Sequence, residues 1–425
     1  MKTILYPFRE QWSEIITRPV FDNESLFKHI RKILSDVKKS GDRSVRKYTK
    51  KFDGVSVRKL KISDSEIKKA GEKIGEDLKK AIDIAINNIS AFHTTQREQV
   101  THVETMPGVK CWRKAVPIEK VGIYIPGGSA PLFSTVLMLA IPAKIAGCKR
   151  VVLCTPPSRE GIIHPAILYT AGLVGITEIY ACGGAQAIAA MAYGTETVPK
   201  VDKIFGPGNQ YVTAAKQLVQ LEGTAIDMPA GPSEVCVLAD ETGIPSYIAA
   251  DLLSQAEHGP DSQVLFITTD KSLLDATIAE INEQLIQLPR ASVATSALEN
   301  SRAILVHDME QGMQLANAYA AEHLIIASAN ADAYAEHILN AGSVFLGNTT
   351  PESAGDYASG TNHTLPTNGH ARAYSGVSID SFVKKITFQQ ISEDGIHSLG
   401  GAIITMATTE GLDAHANAVK IRLNK

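Results

Sequence analysis

The chain has 425 residues, of which 44% are hydrophobic and 20% are charged, a balance typical of a globular protein. One core rarely serves so long a chain, so we expect two or three domains. A formal net charge of −3 argues against a general binder of nucleic acids or anionic membranes, which would be basic. The N-terminus has no apolar stretch of signal-peptide length, and the five cysteines show no Cys-x-x-Cys spacing, which together favour a cytoplasmic protein.

The first part of the chain is predicted to be helical. Residues 24–100 are rich in lysine, and apolar residues recur at positions 27, 30, 33 and 37 before Gly41. This spacing predicts an amphipathic helix, and the charged runs that follow are typical of solvated helix faces.

From residue 121, strand-like runs lead three times into glycine-rich turns and then into helical stretches. The turns are "YIPGGSAP", "CGGAQ" and "FGPGNQ". This alternation predicts a doubly wound parallel sheet with all the turns at one edge. Glycine there would let backbone N–H groups approach a nucleotide, or it could serve only to make tight turns. No Gly-x-Gly-x-x-Gly occurs, and the second strand ends without the acidic residue that usually holds a ribose.

A Pro/Gly-rich loop at 225–240 precedes a second series of alternating strands and helices. We therefore predict an α/β fold of two Rossmann-like doubly wound parallel-sheet domains with small N- and C-terminal helical extensions. The predicted boundaries are an N-terminal extension over 1–20, a helical segment over 21–120 that packs with 236–372 as the first α/β domain, a second α/β domain over 121–235, and a C-terminal tail domain over 373–425.

The stretch "SQAEHG" ends an otherwise apolar helix with an amide, a carboxylate and an imidazole. Gln255 and His258 are three residues apart and would share a face of that helix. They form either a hydrogen-bonded core amide with a C-terminal histidine or two ligands of a metal site. Amide, imidazole and carboxylate ligands suit Zn²⁺, Mn²⁺ or Co²⁺. The candidates for further ligands, in two later stretches, are Asp356, His363, Glu410 and His415.

The stretch "AEHLII" places Glu322 beside His323 where a helix gives way to a strand. Such a pair supplies a general base near neutral pH and a carboxylate that could activate water. The alternative is a surface glutamate beside a histidine bonded to nearby carbonyl groups. The pair also precedes its strand, whereas ligand sites in doubly wound sheets usually follow strands.

Six motifs in order resemble the histidinol dehydrogenase family, from about residue 20 to the end of the chain. The motifs are "FGPGNQYV", "IDMPAGPSEV", "LLSQAEHGPD", "NAYAAEHLII", "GDYASGTNHTLPT" and "EGLDAHANAV". The resemblance implies an oxidoreductase that converts L-histidinol through L-histidinal to L-histidine, in the last two steps of histidine biosynthesis, and reduces two NAD⁺. It also implies one Zn²⁺ per subunit and a homodimer that exchanges its C-terminal tails and shares the active site between subunits.

The resemblance also implies a role for each matching residue. The implied zinc ligands are Gln255, His258, Asp356 and, from the other subunit, His415. The implied catalytic residues are Glu322, which activates water, and His323, the general base. The implied NAD contacts are Tyr124, Gln186 and Asn209. The implied substrate contacts are Ser233, Gln255, His258, His323, Asp356, Glu410 and His415. One departure is Ala321, where the family commonly has proline. His363 is given no firm role, and it is expected either to support the residues that bind the metal or to anchor its loop.

Two other functions fit the residues before the resemblance is considered. A zinc hydrolase would use Glu322 and His323 to activate water without a redox cofactor. A two-lobed binding protein would hold a ligand in the glycine-rich turns without chemistry.

Overall fold

The computed structural model describes residues 1–18, 23–127, 130–229 and 231–424. The strands are β1 (Lys2–Leu5), β2 (His102–Met106), β3 (Val109–Pro117), β4 (Lys120–Tyr124), β5 (Arg150–Thr155), β6 (Glu178–Ala181), β7 (Lys203–Phe205), β8 (Ala225–Ile226), β9 (Glu234–Ala239), β10 (Gln263–Thr268), β11 (Arg302–Leu305), β12 (His323–Ala327), β13 (Ser343–Leu346) and β14 (Val383–Ile391). The α-helices are α1 (Trp12–Ile15), α2 (Asn23–Phe52), α3 (Asp64–Ala70), α4 (Glu76–Thr94), α5 (Phe133–Ala146), α6 (Pro165–Leu173), α7 (Gly184–Tyr193), α8 (Gln210–Leu221), α9 (Pro245–Ala256), α10 (Lys271–Leu285), α11 (Ala291–Glu299), α12 (Met309–Tyr319), α13 (Ala331–Ala335), α14 (Glu352–Tyr357), α15 (Glu393–Thr409) and α16 (Asp413–Leu423). Short 3₁₀ helices are Arg9–Gln11, Gly71–Lys73, His370–Arg372 and Ile379–Phe382.

Sheet I is parallel and has the strand order β6-β5-β4-β7-β8. Neighbouring residues along its strands enter different cores. Ile123 and Leu153 pack in one core, whereas Tyr124 and Cys154 pack in the core on the other side. Because both faces are covered, the strands are largely apolar on both faces after their first residue, rather than alternating.

Sheet II is also parallel, with the order β1-β11-β10-β9-β12-β13. Apart from the edge strand β1, it repeats the order of sheet I, in which the first strand along the chain lies at the centre. Two cores again cover its two faces, one containing Val235 and Phe266 and the other Cys236 and Leu265. Two doubly wound parallel sheets confirm the predicted fold class. The N-terminal extension is not only helical, since it contributes β1.

The helices that follow the N-terminal extension pack around sheet I. Helix α2 contacts α7 and α8, α3 contacts α6, and α4 contacts α5. The apolar stripe of α2, including Ile30, Ile33 and Val37, completes the core that contains Ile188. The prediction that segment 21–120 packs with 236–372 is therefore wrong for these helices. The apolar stripe of α2 predicts that one face of the helix is buried, but it does not identify the element against which that face packs.

Sheet III is antiparallel, with the order β14-β3-β2, and joins the C-terminal tail to residues 102–117. Helices α15 and α16 pack against each other after β14. β14, α15 and α16 together are called the C-terminal arm. Among the described residues, none of the helices combines the length and the apolar character needed to cross a membrane.

Candidate active site

A cavity of about 1300 Å³, here called the turn cavity, lies at the carboxyl edge of sheet I. Its walls come from the segments that follow β4, β5, β6 and β7, together with α2. This is the edge at which doubly wound sheets bind ligands. Tyr124, Gln186 and Asn209, the residues implied as NAD contacts, all line it.

Polar side chains in the turn cavity differ in whether they already have hydrogen-bond partners within the protein. The hydroxyl oxygen of Tyr124 accepts a hydrogen bond from the Gly184 N–H at 3.0 Å, and burial raises the pKa of this tyrosine. Asn209 caps α8 by accepting from two backbone N–H groups. By contrast, Gln186 is buried and neither atom of its amide has a hydrogen-bond partner among the described residues. That amide is free to bind a polar ligand.

A buried ion pair holds the turn that carries Asn209. Gly206 adopts a φ of +121°, and a Cβ there would lie 2.0 Å from the carbonyl oxygen of Tyr124. Its N–H donates to Oδ2 of Asp227 at 2.8 Å, and its carbonyl accepts from Nζ of Lys216 at 2.9 Å. Lys216 and Asp227 also pair directly, with side chains only 5% and 1% exposed. Only glycine fits this close approach of two backbones.

A second cavity of about 700 Å³, here called the inner cavity, adjoins the turn cavity. Both are lined by Leu26, Pro126, Asn209 and Gln210. The implied site residues that line the inner cavity are Ser233, Gln255, His258, Glu322, His323 and Asp356. The structure therefore brings most of the implied metal, catalytic and substrate residues together. Their separate roles stay predictions.

A group of three potential cation ligands lies at the inner cavity, and two of them, His258 and Asp356, line it. One ligand atom each from His258, Glu352 and Asp356 lie within 4.8 Å of one another. Helix α9 ends at Ala256, so His258 lies in the turn after it rather than on its face as expected. Several buried oxygens have no hydrogen-bond partner among the described residues, namely Oε1 of Gln255, Oδ1 of Asp356 and both carboxylate oxygens of Glu352. Unsatisfied buried oxygens of this kind suit a bound cation.

Glu352 was missed by sequence reasoning. It is 1% exposed and begins α14, four residues before Asp356, so both carboxylates lie on one face of that helix. An acidic residue at the start of a helix is ordinary, because it complements the helix dipole. The spacing of four between two acidic residues in "PESAGDY" was the only available signal.

Glu322 is held by two donors in the inner cavity. Its Oε2 accepts from the backbone N–H of Glu234 at 2.9 Å and from Nε2 of Gln255 at 3.2 Å. Burial raises the pKa of Glu322 to about 7, and the neighbouring His323 opposes this rise. A carboxyl group that titrates near neutral pH can exchange a proton with substrate or water.

His323 is buried among carboxylates. Its Nε2 lies 3.4 Å from Oδ1 of Asp356, and its Nδ1 lies 3.7 Å from Oε2 of Glu322. Burial by itself lowers the pKa of His323, but the carboxylates of Glu352, Glu322 and Asp356 outweigh it and raise that pKa to about 10. Glu322 and His323 follow a bend at Ala320, which has a φ of +54°, and they lie at the amino end of β12.

Two implied site residues lie outside this cluster. Glu410 and His415 are exposed at the end of the C-terminal arm, and neither lines the turn cavity or the inner cavity. His363 contacts both the chain at Asp356 and helix α5, so both expected roles stay open. Its Nδ1 lies 2.8 Å from the carbonyl oxygen of Asp356, and its Nε2 lies 3.0 Å from the hydroxyl of Thr135 on α5.

Two Rossmann-like sheets, a glycine-rich sheet edge that faces a cavity, and a buried glutamate–histidine pair in the adjoining cavity are features of α/β enzymes with Rossmann-like domains.

Comparison with known proteins makes the class specific. A family model described as histidinol dehydrogenase matches residues 16–423. The histidinol dehydrogenase of Bacteroides thetaiotaomicron is 61% identical over 424 residues, covering 100% of this chain and 99% of the relative. That of Escherichia coli is 51% identical over 418 residues, covering 98% and 95%. A crystal structure of histidinol dehydrogenase from Elizabethkingia anophelis matches with a TM-score of 0.98 and 55% identity, covering 100% and 98%. The chain belongs to the histidinol dehydrogenase family, and so to the oxidoreductases of histidine biosynthesis.

Proposed function

We propose that this protein oxidises L-histidinol to L-histidine through L-histidinal, with the reduction of two NAD⁺, in the last two steps of histidine biosynthesis. Family membership supports the reaction. The observation that carries the assignment is the position of the Glu322–His323 pair in a cavity that adjoins the glycine-rich turn cavity. A substrate in the inner cavity and a dinucleotide in the turn cavity could therefore meet.

The residues of the inner cavity fit a zinc ion. Gln255, His258 and Asp356 would supply an amide oxygen, an imidazole nitrogen and a carboxylate oxygen, which are ligand types that zinc accepts. We propose that His415 of a second copy of the chain is the fourth ligand, and that Glu410 of that copy contacts the substrate with Ser233. Zinc held there would supply a fixed positive charge that orients the amine and imidazole of the substrate.

The exposed C-terminal arm supports this shared site. Both of its implied residues lie away from the cavities of their own chain, yet they belong to a motif of the family. We propose a homodimer that exchanges the tails over residues 373–425. The arm is built from β14, α15 and α16, and it leaves apolar side chains such as Met406 and Ile421 exposed.

In the first oxidation, we propose that Nε2 of His323 takes the proton of the substrate hydroxyl. NAD⁺ in the turn cavity, contacted by Tyr124, Gln186 and Asn209, would supply the electron acceptor for both oxidations. In the second, Glu322 would remove a proton from the water that adds to the aldehyde, while His323 returns its first proton to the aldehyde oxygen. His323 would then again accept a proton, from a hydroxyl of the resulting hydrate. The burial of both side chains keeps bulk water from the reacting groups.

The pKa of His323 is high because the negative charges of Glu352, Glu322 and Asp356 favour its protonated form. A cation bound by Asp356 would offset part of their negative charge, so we expect the pKa of His323 to be lower in the zinc-loaded protein. His323 would then be a neutral base at physiological pH.

The testing experiment counts NADH molecules formed per molecule of limiting L-histidinol by purified, zinc-loaded protein. We expect two, and we expect a chelator to abolish them. One NADH would leave an alcohol dehydrogenase and remove the proposed role of Glu322. No NADH despite bound metal would favour the zinc hydrolase.

A mixing experiment tests the shared site. His258→Asn and His415→Asn should each be inactive as pure proteins. Unfolding and refolding them together should restore activity, because a mixed dimer contains one site in which both native histidines meet. A lack of activity in mixed dimers that have demonstrably formed would contradict the exchange of tails.

A further inference from the structure

An ion pair between the N-terminal segment and the start of β9 lies beside the catalytic pair. Arg18 makes two bonds to the carboxylate of Glu234, from Nε at 2.5 Å and from Nη2 at 2.9 Å. Nη2 also donates to the carbonyl oxygen of Tyr319 at 2.7 Å, and the guanidinium carbon lies 4.1 Å from the centre of the Tyr319 ring. The two charged side chains are 13% and 2% exposed, so the pair is nearly dry.

The backbone of Glu234 contacts both proposed catalytic residues. Its N–H donates to Oε2 of Glu322 at 2.9 Å. Its carbonyl oxygen lies 3.3 Å from Nδ1 of His323. The carboxylate of Glu234 also accepts from the N–H of Asn368 at 2.9 Å. Any displacement of Glu234 would therefore move the partners of Glu322 and His323 together.

The contact with His323 has a chemical consequence. A carbonyl oxygen can only accept a hydrogen bond, so the neutral ring must carry its proton on Nδ1 to make this contact. Nε2 is then the unprotonated nitrogen. Nε2 is buried and makes no hydrogen bond among the described residues, although Oδ1 of Asp356 lies 3.4 Å away. When Asp356 binds a cation, Nε2 is left available for a substrate proton.

We propose that the Arg18–Glu234 ion pair positions the catalytic pair, fixing the carboxylate of Glu322 and orienting the ring of His323 so that Nε2 faces the inner cavity. This inference rests on the proposed function for the roles of Glu322 and His323. Arg18 is among the residues that line the inner cavity, but its guanidinium bonds are to Glu234 and to the carbonyl of Tyr319. Arg18 and Glu234 are therefore positioning residues that act through the backbone of β9.

Stability alone is a weak explanation for the pair. Removing two charges from water is costly, and well-packed apolar residues often stabilise a fold at least as well as a buried ion pair does. What apolar residues do not supply is two directional bonds that fix the position of one strand end.

The test compares Arg18→Met with the matched control Arg150→Met. Nε of Arg150 lies 3.0 and 2.9 Å from the two carboxylate oxygens of Glu178, but that pair is more exposed, at 42% and 25%, and joins β5 and β6 of sheet I. We expect Arg18→Met to lower kcat with L-histidinol about 100-fold per folded molecule, the effect of a misplacement of about 1 Å. We expect the KM for L-histidinol to change by less than about threefold, since binding of the ground state is retained. Arg150→Met should leave kcat unchanged.

Arg18→Lys provides the conservative variant. It keeps the charge but loses the planar two-bond geometry, so its kcat should lie between those of the wild type and Arg18→Met. A wild-type kcat in folded Arg18→Met overturns the proposal. If Arg18→Met does not fold, a wild-type kcat in Arg18→Lys overturns it instead.

A spectroscopic readout separates this inference from the proposed function. In ¹⁵N-histidine NMR of the zinc-loaded protein, the His323 signal is assigned by its loss in His323→Asn. We expect the proton on Nδ1 in the wild type and a mixture of tautomers in Arg18→Met. A wild-type ring protonated on Nε2 alone would refute the inference. Should L-histidinol not be oxidised at all, the proposed function fails, and the NMR result still decides the orientation of the ring.

Discussion

The buried pair of Lys216 and Asp227 offers a sharp test of how the glycine-rich turn is held. In Lys216→Met the carboxylate of Asp227 would stay buried without its cation. It would keep two neutral donors, the N–H groups of Gly206 and Met228, each at 2.8 Å. Removing one partner of a fully buried pair costs about 3–5 kcal/mol. Because two donors remain, we expect the free energy of unfolding to fall by about 3 kcal/mol, the lower end of that range.

Urea unfolding followed by circular dichroism measures this loss, with two further variants as controls. Lys271→Met breaks an exposed pair with Asp275, whose side chains are 51% and 61% exposed, and should cost less than about 0.5 kcal/mol. The double variant Lys216→Met/Asp227→Asn leaves no buried charge and should be more stable than Lys216→Met. The KM for NAD⁺ should rise in Lys216→Met, since the Gly206 carbonyl loses its donor. The reasoning is refuted by a cost below about 1 kcal/mol, or by a double variant no more stable than the single one.

Four further changes have defined outcomes. In Gly206→Ala the new methyl group would meet the Tyr124 carbonyl, so a thermal scan should show destabilisation of about 3 kcal/mol, and an unchanged melting temperature would argue against the close approach. His323→Asn should lower kcat by about 10²–10⁴ in steady-state assays, and near-native turnover would exclude it as the base. Glu352→Gln should weaken zinc binding about 10-fold or more in a chelator competition, and equal affinity would remove Glu352 from the metal site. Burial raises the pKa of Asp53 from 3.8 to about 6, so a stabilising contribution present below about pH 4 is lost as the pH rises through about 6. Asp53→Asn should lack this slope in urea midpoints measured from pH 4 to 8, and parallel slopes would contradict the assignment.

The fold was predictable because its signals are local. Strands that are apolar on both faces and turns rich in glycine mark each parallel unit, and the structure places those turns at one edge of sheet I. The partner of α2 was not predictable in the same way. An apolar stripe through Ile30 and Val37 shows only that one face of α2 is buried. Each of the two parallel sheets has faces that helices cover, so the stripe alone does not identify the sheet against which α2 packs.

The candidate site was predictable where residues were unusual for their position. An amide and an imidazole at the end of an apolar helix drew attention to Gln255 and His258, and both line the inner cavity. Glu352 gave no such signal, because a glutamate at a helix start is common in proteins. Its importance depends on burial without a partner, which only the fold determines.

The burial of both faces of the parallel sheets limits the amino-acid substitutions that their strands can accept. Along β9 and β10 every residue is buried, whereas every residue of β14 is at least partly exposed. In a saturation mutagenesis library, the first two strands would tolerate few polar substitutions at any position, without the even–odd rhythm of a half-exposed strand. β14 would accept many more. At their apolar positions, β9 and β10 can therefore change only by exchanging one apolar side chain for another of similar volume.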